Sequence, residues 1–201
     1  MMRTKFLPRS FYAREDPVKV ALDLLGKIIR IPGDGCAARI VEAEAYGGPR
    51  DRASHAWRGQ TPRNKTMFGP PGTAYIYLCY GLHRMLNVVT APEGIAAAVL
   101  IRGVEPVEGH ERMARRRKCV PGDPRVGAGP GALAQALGIK MSWDGCDLVS
   151  GPIRIEDDGM RLRHSQIERG RRVGVNYAGP AARFPWRFSI QGNPWVSRAK
   201  A

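Results

Sequence analysis

The chain has 201 residues, of which 43% are hydrophobic and 25% charged, a composition that excludes a disordered or membrane-embedded chain. Its 24 glycines and 16 prolines are spread along the sequence, so we expect one domain over residues 1–201 with many turns. The charge is unusual, because 32 Lys and Arg oppose 18 Asp and Glu, a formal net charge of +14. This excess favours nucleic acid as the partner over a membrane surface, since neither a long apolar run nor a basic amphipathic helix is evident.

Cysteine and histidine usage argues against a structural metal site. Neither residue type has zinc-ligand spacing, and no CxxC pair is present. The N-terminus lacks the apolar segment of a secretory signal. We therefore expect free thiols, no metal, and a reducing cytosolic or nuclear compartment. The residues concerned are Cys36, Cys79, Cys119, Cys146, His55, His83, His110 and His164.

The first predicted helix follows Asp16, an acidic N-cap, and begins with Pro17 at its first helical position. Gly26 can end it. A strand over 27–31 and a turn over 32–35 come next. The apolar positions of the helix are Val18, Ala21, Leu22 and Leu25.

The stretch 39–46 alternates like a strand and carries two acids on one side. Carboxylates two residues apart lie within about 7 Å, and their repulsion tends to raise the pKa of one of them. A solvated strand face is the ordinary interpretation, and a pair of placed acids is the functional one. The two sides are Val41, Ala43 and Ala45 against Glu42, Glu44 and Tyr46.

A long loop follows, opened by a bend at 47–49 and reaching Pro71. Loops of some twenty residues are usually functional or disordered. Apolar residues inside this one, Trp57 and the Met67–Phe68 pair, argue against disorder. His55 also lies in it, and a lone histidine is more often a structural hydrogen-bonding group than a functional one.

A hairpin is predicted from two strongly β-prone runs, 73–80 and 85–90. Tyr75 and Tyr77 share one face, where core filling is the default role of aromatic residues. Tyr80 lies at the tip, poorly placed for packing and well placed to wedge between stacked bases. Asn87, among apolar neighbours, needs a partner if it is buried.

The rest of the chain predicts an α+β fold with a mainly antiparallel sheet. A small apolar strand over 95–102 ends in Arg102, which is either an edge residue or a placed charge. Helices are predicted over 108–118 and 129–138. Further short strands are predicted near 153–155, 172–175 and 187–190.

Taken together, these residues resemble the alkyladenine (3-methyladenine) DNA glycosylase family, from about Leu7 to the C-terminus. The resemblance implies a single α+β domain around a curved antiparallel sheet, with a protruding β-hairpin and flanking helices. It also implies a monomer without a cofactor that acts on double-stranded DNA containing damaged purines, in the cytoplasm with the nucleoid if bacterial and in the nucleus if eukaryotic. The matching segments are 41–49, 55, 60–64, 67–68, 71–73, 75–77, 80–81, 87, 100–102, 172–175 and 192–197.

The resemblance also implies the chemistry. Glu44 would be the general base that activates a water for attack on C1′ of an alkylated or deaminated purine nucleotide. Arg102 and the main chain at Val173 would help to hold that water. An abasic site would remain, and no Schiff-base lyase step is expected because the pocket motif contains no lysine.

The same resemblance assigns the groups that bind the base. Tyr46, His55 and Tyr77 would sandwich the flipped base, and Tyr80 would fill the gap that it leaves in the duplex. Asn87 would lie where a purine 2-amino group must be excluded or accommodated. For Tyr77 and Asn87 to share the pocket we expect them to pair across the hairpin, with a three-residue loop over 81–83.

Two positions depart from the family pattern, and both bear on base range and affinity. Trp57 is unusual in a loop that is one residue shorter than is typical, and Leu82-His83-Arg84 replaces more apolar or aromatic residues. Two other interpretations account for the charge: a non-catalytic nucleic-acid-binding protein and an RNA-processing hydrolase. Neither explains an acid retained beside a polyanion together with an aromatic residue at the hairpin tip.

Overall fold

One long strand, Cys36–Tyr46, is the centre of the sheet. The computed structural model describes residues 5–47 and 51–198, so part of the predicted bend at 47–49 lies outside the described residues. Within these ranges the strands are β1 (Lys5–Phe6), β2 (Ile28–Ile31), β3 (Cys36–Tyr46), β4 (Ala74–Cys79), β5 (His83–Val89), β6 (Ala98–Glu108), β7 (Arg154–Asp157), β8 (Ile167–Gly170) and β9 (Arg187–Ile190). The α-helices are α1 (Arg9–Tyr12), α2 (Pro17–Leu24), α3 (His110–Arg117) and α4 (Pro130–Ala136).

The sheet has the order β1-β7-β2-β3-β6-β5-β4, and β9 pairs with the second half of β3 and with β8. Every strand pair among the described residues is antiparallel. Register shifts between β3 and β6 near Ile40 and Glu42 bend the two longest strands, since a bulge increases local twist. This curled sheet with a few helices confirms the predicted α+β class.

The two faces of the sheet differ, as the alternation in β3 predicts. Ala43 and Ala45 pack with Ile101 in the main core against the helices. The opposite face of the sheet contacts the loop layer that includes Ala56 and Met67. The acids of β3 therefore lie beneath loops instead of facing water.

Helix α2 starts as predicted, because the Asp16 side chain accepts a hydrogen bond from the Val18 amide at 2.9 Å. Gly26 follows the helix with a φ of +83°, the left-handed conformation that glycine adopts without strain. The buried face of α2 is rotated slightly about the helix axis from the predicted face, and it packs on β3 and β6. Its members are Val20, Ala21, Leu24 and Leu25, with Val18 and Leu22 half-buried.

Two predicted strands differ from the structure. β6 begins at Ala98 and runs on to Glu108, because β3 is long enough to pair with it as far as Ala37. Arg102 is therefore in the middle of a strand and does not end one. The segment 172–175 is irregular, since Gly174 has a φ of +73°, and the strand of this region is β8 instead.

The hairpin has the predicted loop length but a different register. Tyr77 pairs with Met85, and Tyr75 pairs with Asn87, so the predicted Tyr77–Asn87 pairing is wrong by two residues. The loop is 80–82, not 81–83, because Tyr80 itself adopts a left-handed φ of +52°. A shift of two keeps every side chain on its face, so Tyr77 and Asn87 still point to the same side.

Candidate active site

Glu42 and Glu44 have no exposed surface, so the solvated strand face is the wrong interpretation of β3. Buried carboxylates need hydrogen-bond donors or charge partners. Glu44 has three donors. The Val173 amide donates to its Oε1 at 2.7 Å, while the Tyr46 hydroxyl at 2.8 Å and Arg102 Nη1 at 3.4 Å donate to its Oε2.

Burial raises the pKa of Glu44, and the Arg102 charge and the bonds from Val173 and Tyr46 offset only part of that effect. The pKa of the Tyr46 hydroxyl is also raised, by burial and by the neighbouring Glu44 charge, so this phenol stays neutral and donates. A carboxyl whose pKa is moved towards neutrality, in a fixed ring of donors, suits general base catalysis.

Glu42 holds Arg102 in place from the other side. It accepts from Arg102 Nε at 3.2 Å, from Arg187 Nε at 2.6 Å, and from the Ser197 hydroxyl and amide at 2.9 and 2.8 Å. Burial alone would lower the pKa of Arg102, but the Glu44 and Glu42 charges outweigh it and the pKa is raised. Arg102 is thus a placed charge between two carboxylates, and the edge interpretation is wrong.

A cavity of about 710 Å³ opens beside this group. That volume lies within the usual range for small-molecule sites, which are largely apolar with a few convergent polar groups. Glu44 lies behind the wall that its three donors form. The lining includes every other residue to which the sequence assigned a role in the site: Tyr46, His55, Tyr77, Tyr80, Asn87, Arg102 and Val173. The remaining lining residues had no assigned role: Ala53, Arg63, Met67, Tyr75, Leu78, Cys79, Gly81, Met85, Ala98, Leu100, Pro130, Gly174, Val175 and Tyr177.

His55, Tyr75 and Tyr77 form one aromatic wall. The His55 and Tyr77 ring centroids are 4.6 Å apart, and those of Tyr75 and Tyr77 are 5.4 Å apart. The Tyr75 hydroxyl lies 3.0 Å from His55 Nδ1, so Tyr75 is a support for His55 as well as part of the core. Burial, followed by the Arg63 charge, lowers the pKa of His55, which therefore stays neutral at pH 7.

Asn87 is buried and finds its partners in the main chain. Its Nδ2 donates to the Tyr75 carbonyl at 3.1 Å and to the Met85 carbonyl at 3.4 Å. These bonds fix the amide at the cavity wall, and they supply the hydrogen-bond partners that a buried Asn87 was expected to need.

Tyr80 lies at the mouth of the cavity with 92% of its surface exposed. Its neighbour in the loop, Leu82, is 76% exposed, and Tyr177, which also lines the cavity, is 72% exposed. Exposed apolar groups clustered at a cavity mouth are typical of a binding surface. Sequence reasoning missed Tyr177, because it lies in a 3₁₀ segment (Asn176–Arg183) that has no periodic pattern.

A second buried ion pair, Asp51–Arg172, lies behind Tyr46. Arg172 belongs to a segment that the sequence singled out, but nothing in the sequence pairs it with Asp51.

The four cysteines are free thiols. Among residues 5–47 and 51–198, no three His, Cys, Asp or Glu side chains are grouped to hold a metal ion. None of the helices that the structure describes is long and apolar enough to cross a bilayer.

The amino-acid sequence matches those of known proteins over most of its length. The family model of methylpurine-DNA glycosylase matches residues 10–194. Three relatives, each carrying the name "Putative 3-methyladenine DNA glycosylase", come from Anaeromyxobacter dehalogenans strain 2CP-C, Nitrosococcus oceani and Methanocella arvoryzae. They are 49%, 46% and 45% identical, over 96% of this chain in each case and over 86%, 94% and 96% of their own lengths. With a match of this extent and identity, the chain belongs to the methylpurine-DNA glycosylase family.

Proposed function

We propose that the protein is a monofunctional DNA glycosylase of base excision repair. It flips an alkylated or deaminated purine out of duplex DNA and hydrolyses the N-glycosidic bond, leaving an abasic site. The observation that carries the proposal is a fully buried Glu44, held by three donors behind the wall of an aromatic cavity.

Glu44 acts as the general base. As the purine leaves, the sugar gains oxocarbenium character, and a carboxylate near C1′ stabilises that charge and takes the proton of the attacking water, as in glycoside hydrolysis. Arg102 and the main chain at Val173 hold Glu44 and help to position the water. The donors keep the ionised form available although burial disfavours it.

The aromatic groups bind the extruded base. Tyr46 stacks on one side and the His55–Tyr77 wall on the other, and stacking contributes roughly 1–3 kcal/mol per base. A cationic alkylated purine gains further attraction from the ring faces. Asn87 meets the purine edge where a 2-amino group would lie.

Tyr80 acts as the wedge. A base inside a duplex offers no path to its glycosidic bond, and extrusion costs a few kcal/mol. An exposed aromatic ring at a hairpin tip can enter the gap and offset part of that cost. Double-stranded DNA is therefore the partner, bound by a monomer of a single domain.

The chemistry needs no cofactor, because water is the nucleophile and the purine is the leaving group. No lysine lines the described cavity, which supports hydrolysis without a lyase step. We place the protein with DNA, at the nucleoid or in the nucleus according to its source.

The test is Glu44→Gln on duplexes that contain 3-methyladenine, 7-methylguanine, hypoxanthine or ethenoadenine. We expect single-turnover base release to fall by about 10²–10⁴-fold, the usual contribution of a general base, while affinity for the lesion duplex stays near that of the wild type. Glu168→Gln, at an exposed position on β8, is the matched control and should leave both unchanged. Retained excision by Glu44→Gln would contradict the proposal, whereas binding without excision by the wild type would indicate a non-catalytic binder.

A further inference from the structure

Arg172 joins three chain segments through one buried guanidinium. Its Nη1 and Nη2 bind the two Asp51 carboxylate oxygens at 2.5 and 2.8 Å. The same nitrogens donate to the Ala45 carbonyl at 2.8 Å and to the Ala181 carbonyl at 3.1 Å. The exposed fractions of the Arg172 and Asp51 side chains are 0% and 1%, so water does not screen these contacts.

The Arg172 guanidinium lies next to the residues that surround Glu44. Ala45, which accepts one of its bonds, lies between Glu44 and Tyr46 on β3. Val173, the next residue after Arg172, donates its amide to Glu44. The guanidinium carbon also lies 4.7 Å from the centre of the Tyr46 ring.

Asp51 extends the connection into the loop that carries His55. Its Oδ1 accepts from the Ala53 amide at 3.0 Å, and its Oδ2 accepts from the Gly47 amide at 3.3 Å. The ion pair therefore links the end of β3, the loop leading to His55, and the segment that supplies the Val173 amide.

We propose that Asp51 and Arg172 are positioning residues for base excision, which hold the Val173 amide on Glu44 and the Tyr46 ring in the cavity wall. The inference rests on the proposed function, and neither residue lines the cavity. They act through the groups that do.

Fold stability is the weaker explanation of this pair. Buried ion pairs contribute little net stability, because desolvation cancels most of the attraction and an apolar pair of similar volume often does as well. A bidentate arginine–carboxylate contact does fix orientation. Catalysis depends on such precise orientation, because a misplacement of the reacting groups by about 1 Å can lower a rate by about 10²-fold.

Loss of the Asp51–Arg172 pair would change how excision depends on pH. Charged and titratable groups approach Glu44 from every strand around it: Arg102 on β6, Arg187 on β9, Tyr77 on β4, and Glu42 and Tyr46 on its own strand. Among the contacts of Glu44, the Val173 amide favours the ionised carboxylate. If that amide is displaced, the pKa of Glu44 rises further, and excision is lost at a higher pH as the solution is acidified.

The experiment is Asp51→Asn, with single-turnover excision measured across pH under saturating enzyme. We expect the rate to fall by about 10–10²-fold, the affinity for lesion duplex to change by less than about threefold, and the acid limb of the pH profile to move to higher pH. Arg172→Lys keeps the charge but loses the bidentate contact, and should behave in the same way. It also carries the test if Asp51→Asn does not fold.

Asp158→Asn is the matched control. It breaks the ion pair between Arg39 Nη2 and Asp158 Oδ2, which are 2.8 Å apart. Arg39 lies on β3, five residues before Glu44, but this replacement should change neither the excision rate nor its pH profile. A wild-type acid limb in both site variants would overturn the proposal, even if their thermal stability falls. Titration of the Glu44 carboxyl by ¹³C NMR in the free protein tests the positioning role separately from the proposed glycosylase function, because it needs no DNA. If the wild-type protein does not excise any of the bases tested, the proposed function is contradicted. If the pKa of Glu44 is nevertheless higher in Asp51→Asn than in the wild type, the positioning role is supported.

Discussion

Position 44 shows how burial changes the chemistry of a carboxyl group. In water the charged form of a glutamate is the stable one at neutral pH. Within β3 the same group is fully buried among three donors, and burial raises its pKa from the ordinary value of 4.5. Ionised Glu44 therefore opposes folding at neutral pH, a conflict between stability and activity that is common at active sites.

A test of this conflict is the stability of Glu44→Gln. A folded-state pKa above the unfolded value means that the folded protein binds the proton more tightly, so ionisation destabilises the fold as pH rises through the folded-state pKa. We expect Glu44→Gln to unfold at a higher temperature than the wild type at pH 7, by a few degrees for about 1 kcal/mol. The difference should shrink as pH falls towards 4.5. Thermal unfolding at several pH values measures it.

Glu108→Gln is a control of opposite sign. The hydrogen bond from Arg30 lowers the pKa of Glu108, so this carboxylate stabilises the fold above its unfolded pKa and loses that contribution as pH falls through its folded-state pKa. Its replacement should leave the protein slightly less stable at pH 7. If Glu44→Gln, like Glu108→Gln, is less stable than the wild type at pH 7, the direction assigned to Glu44 is wrong.

The location of a residue at or beside the cavity could be predicted where the residue type was out of place in its local pattern. Glu44 on a small apolar strand, Asn87 among apolar neighbours and Tyr80 at a hairpin tip all stood out in this way. Asp51 and Tyr177 did not, because their importance depends on contacts with segments more than 100 residues away in sequence. Those contacts leave no local pattern.

Among the elements, the β4–β5 hairpin carries groups that we propose to contact both base and duplex: Tyr77 and Asn87 in the cavity lining and Tyr80 at the tip. Its loop holds Tyr80 at a left-handed φ, a conformation that costs a bulky residue about 1–2 kcal/mol. Such strain is retained mainly at functional sites. The hairpin thus presents the ring away from the fold at the expense of local stability.

We expect Tyr80→Ala to weaken binding to lesion duplex by about ten- to a hundredfold, equivalent to the roughly 1–3 kcal/mol of one stacking contact. The hairpin and the cavity should remain folded. Phe6→Ala is the matched control, because Phe6 is an exposed aromatic residue on β1, at the opposite end of the sheet from β4. Fluorescence anisotropy with labelled duplex measures both affinities, and equal binding by Tyr80→Ala and wild type would show that the tip does not intercalate.

Element boundaries were predictable where a local signal ends the element. The cap of α2 depends on Asp16, Pro17 and Gly26 alone, and the structure agrees with it. The extent of β6 and the register of the hairpin depend on partner strands. For that reason the sequence-based prediction put Arg102 at the end of a strand and paired Tyr77 with Asn87, two residues away from its observed partner, Met85.

For the whole molecule, the net charge of +14 dominates. Acids neutralise some arginines within the fold, as in the Arg30–Glu108 and Arg116–Asp34 pairs. The uncompensated excess remains available to phosphates, and counterion release then makes DNA affinity depend on salt.

We expect the affinity of Glu44→Gln for lesion duplex to fall by about 10²–10³-fold between 50 and 200 mM salt, the result for four to six neutralised phosphates. The variant is used because it leaves the lesion intact during titration. The single-turnover excision rate of the wild type at saturating enzyme is the internal control and should change little. Affinity that is independent of salt would contradict an electrostatic DNA interface.

The central location of β3 has a consequence for how this enzyme can change. The strand that carries Glu44, the proposed general base, pairs with three others, β2, β6 and β9. Its amide protons should therefore be among the slowest to exchange with solvent, through openings close to global unfolding. A change in the position of Glu44 would therefore disturb the centre of the sheet. New base preferences are therefore expected to arise in the hairpin tip and the rim loops, where replacements leave the chemistry in place.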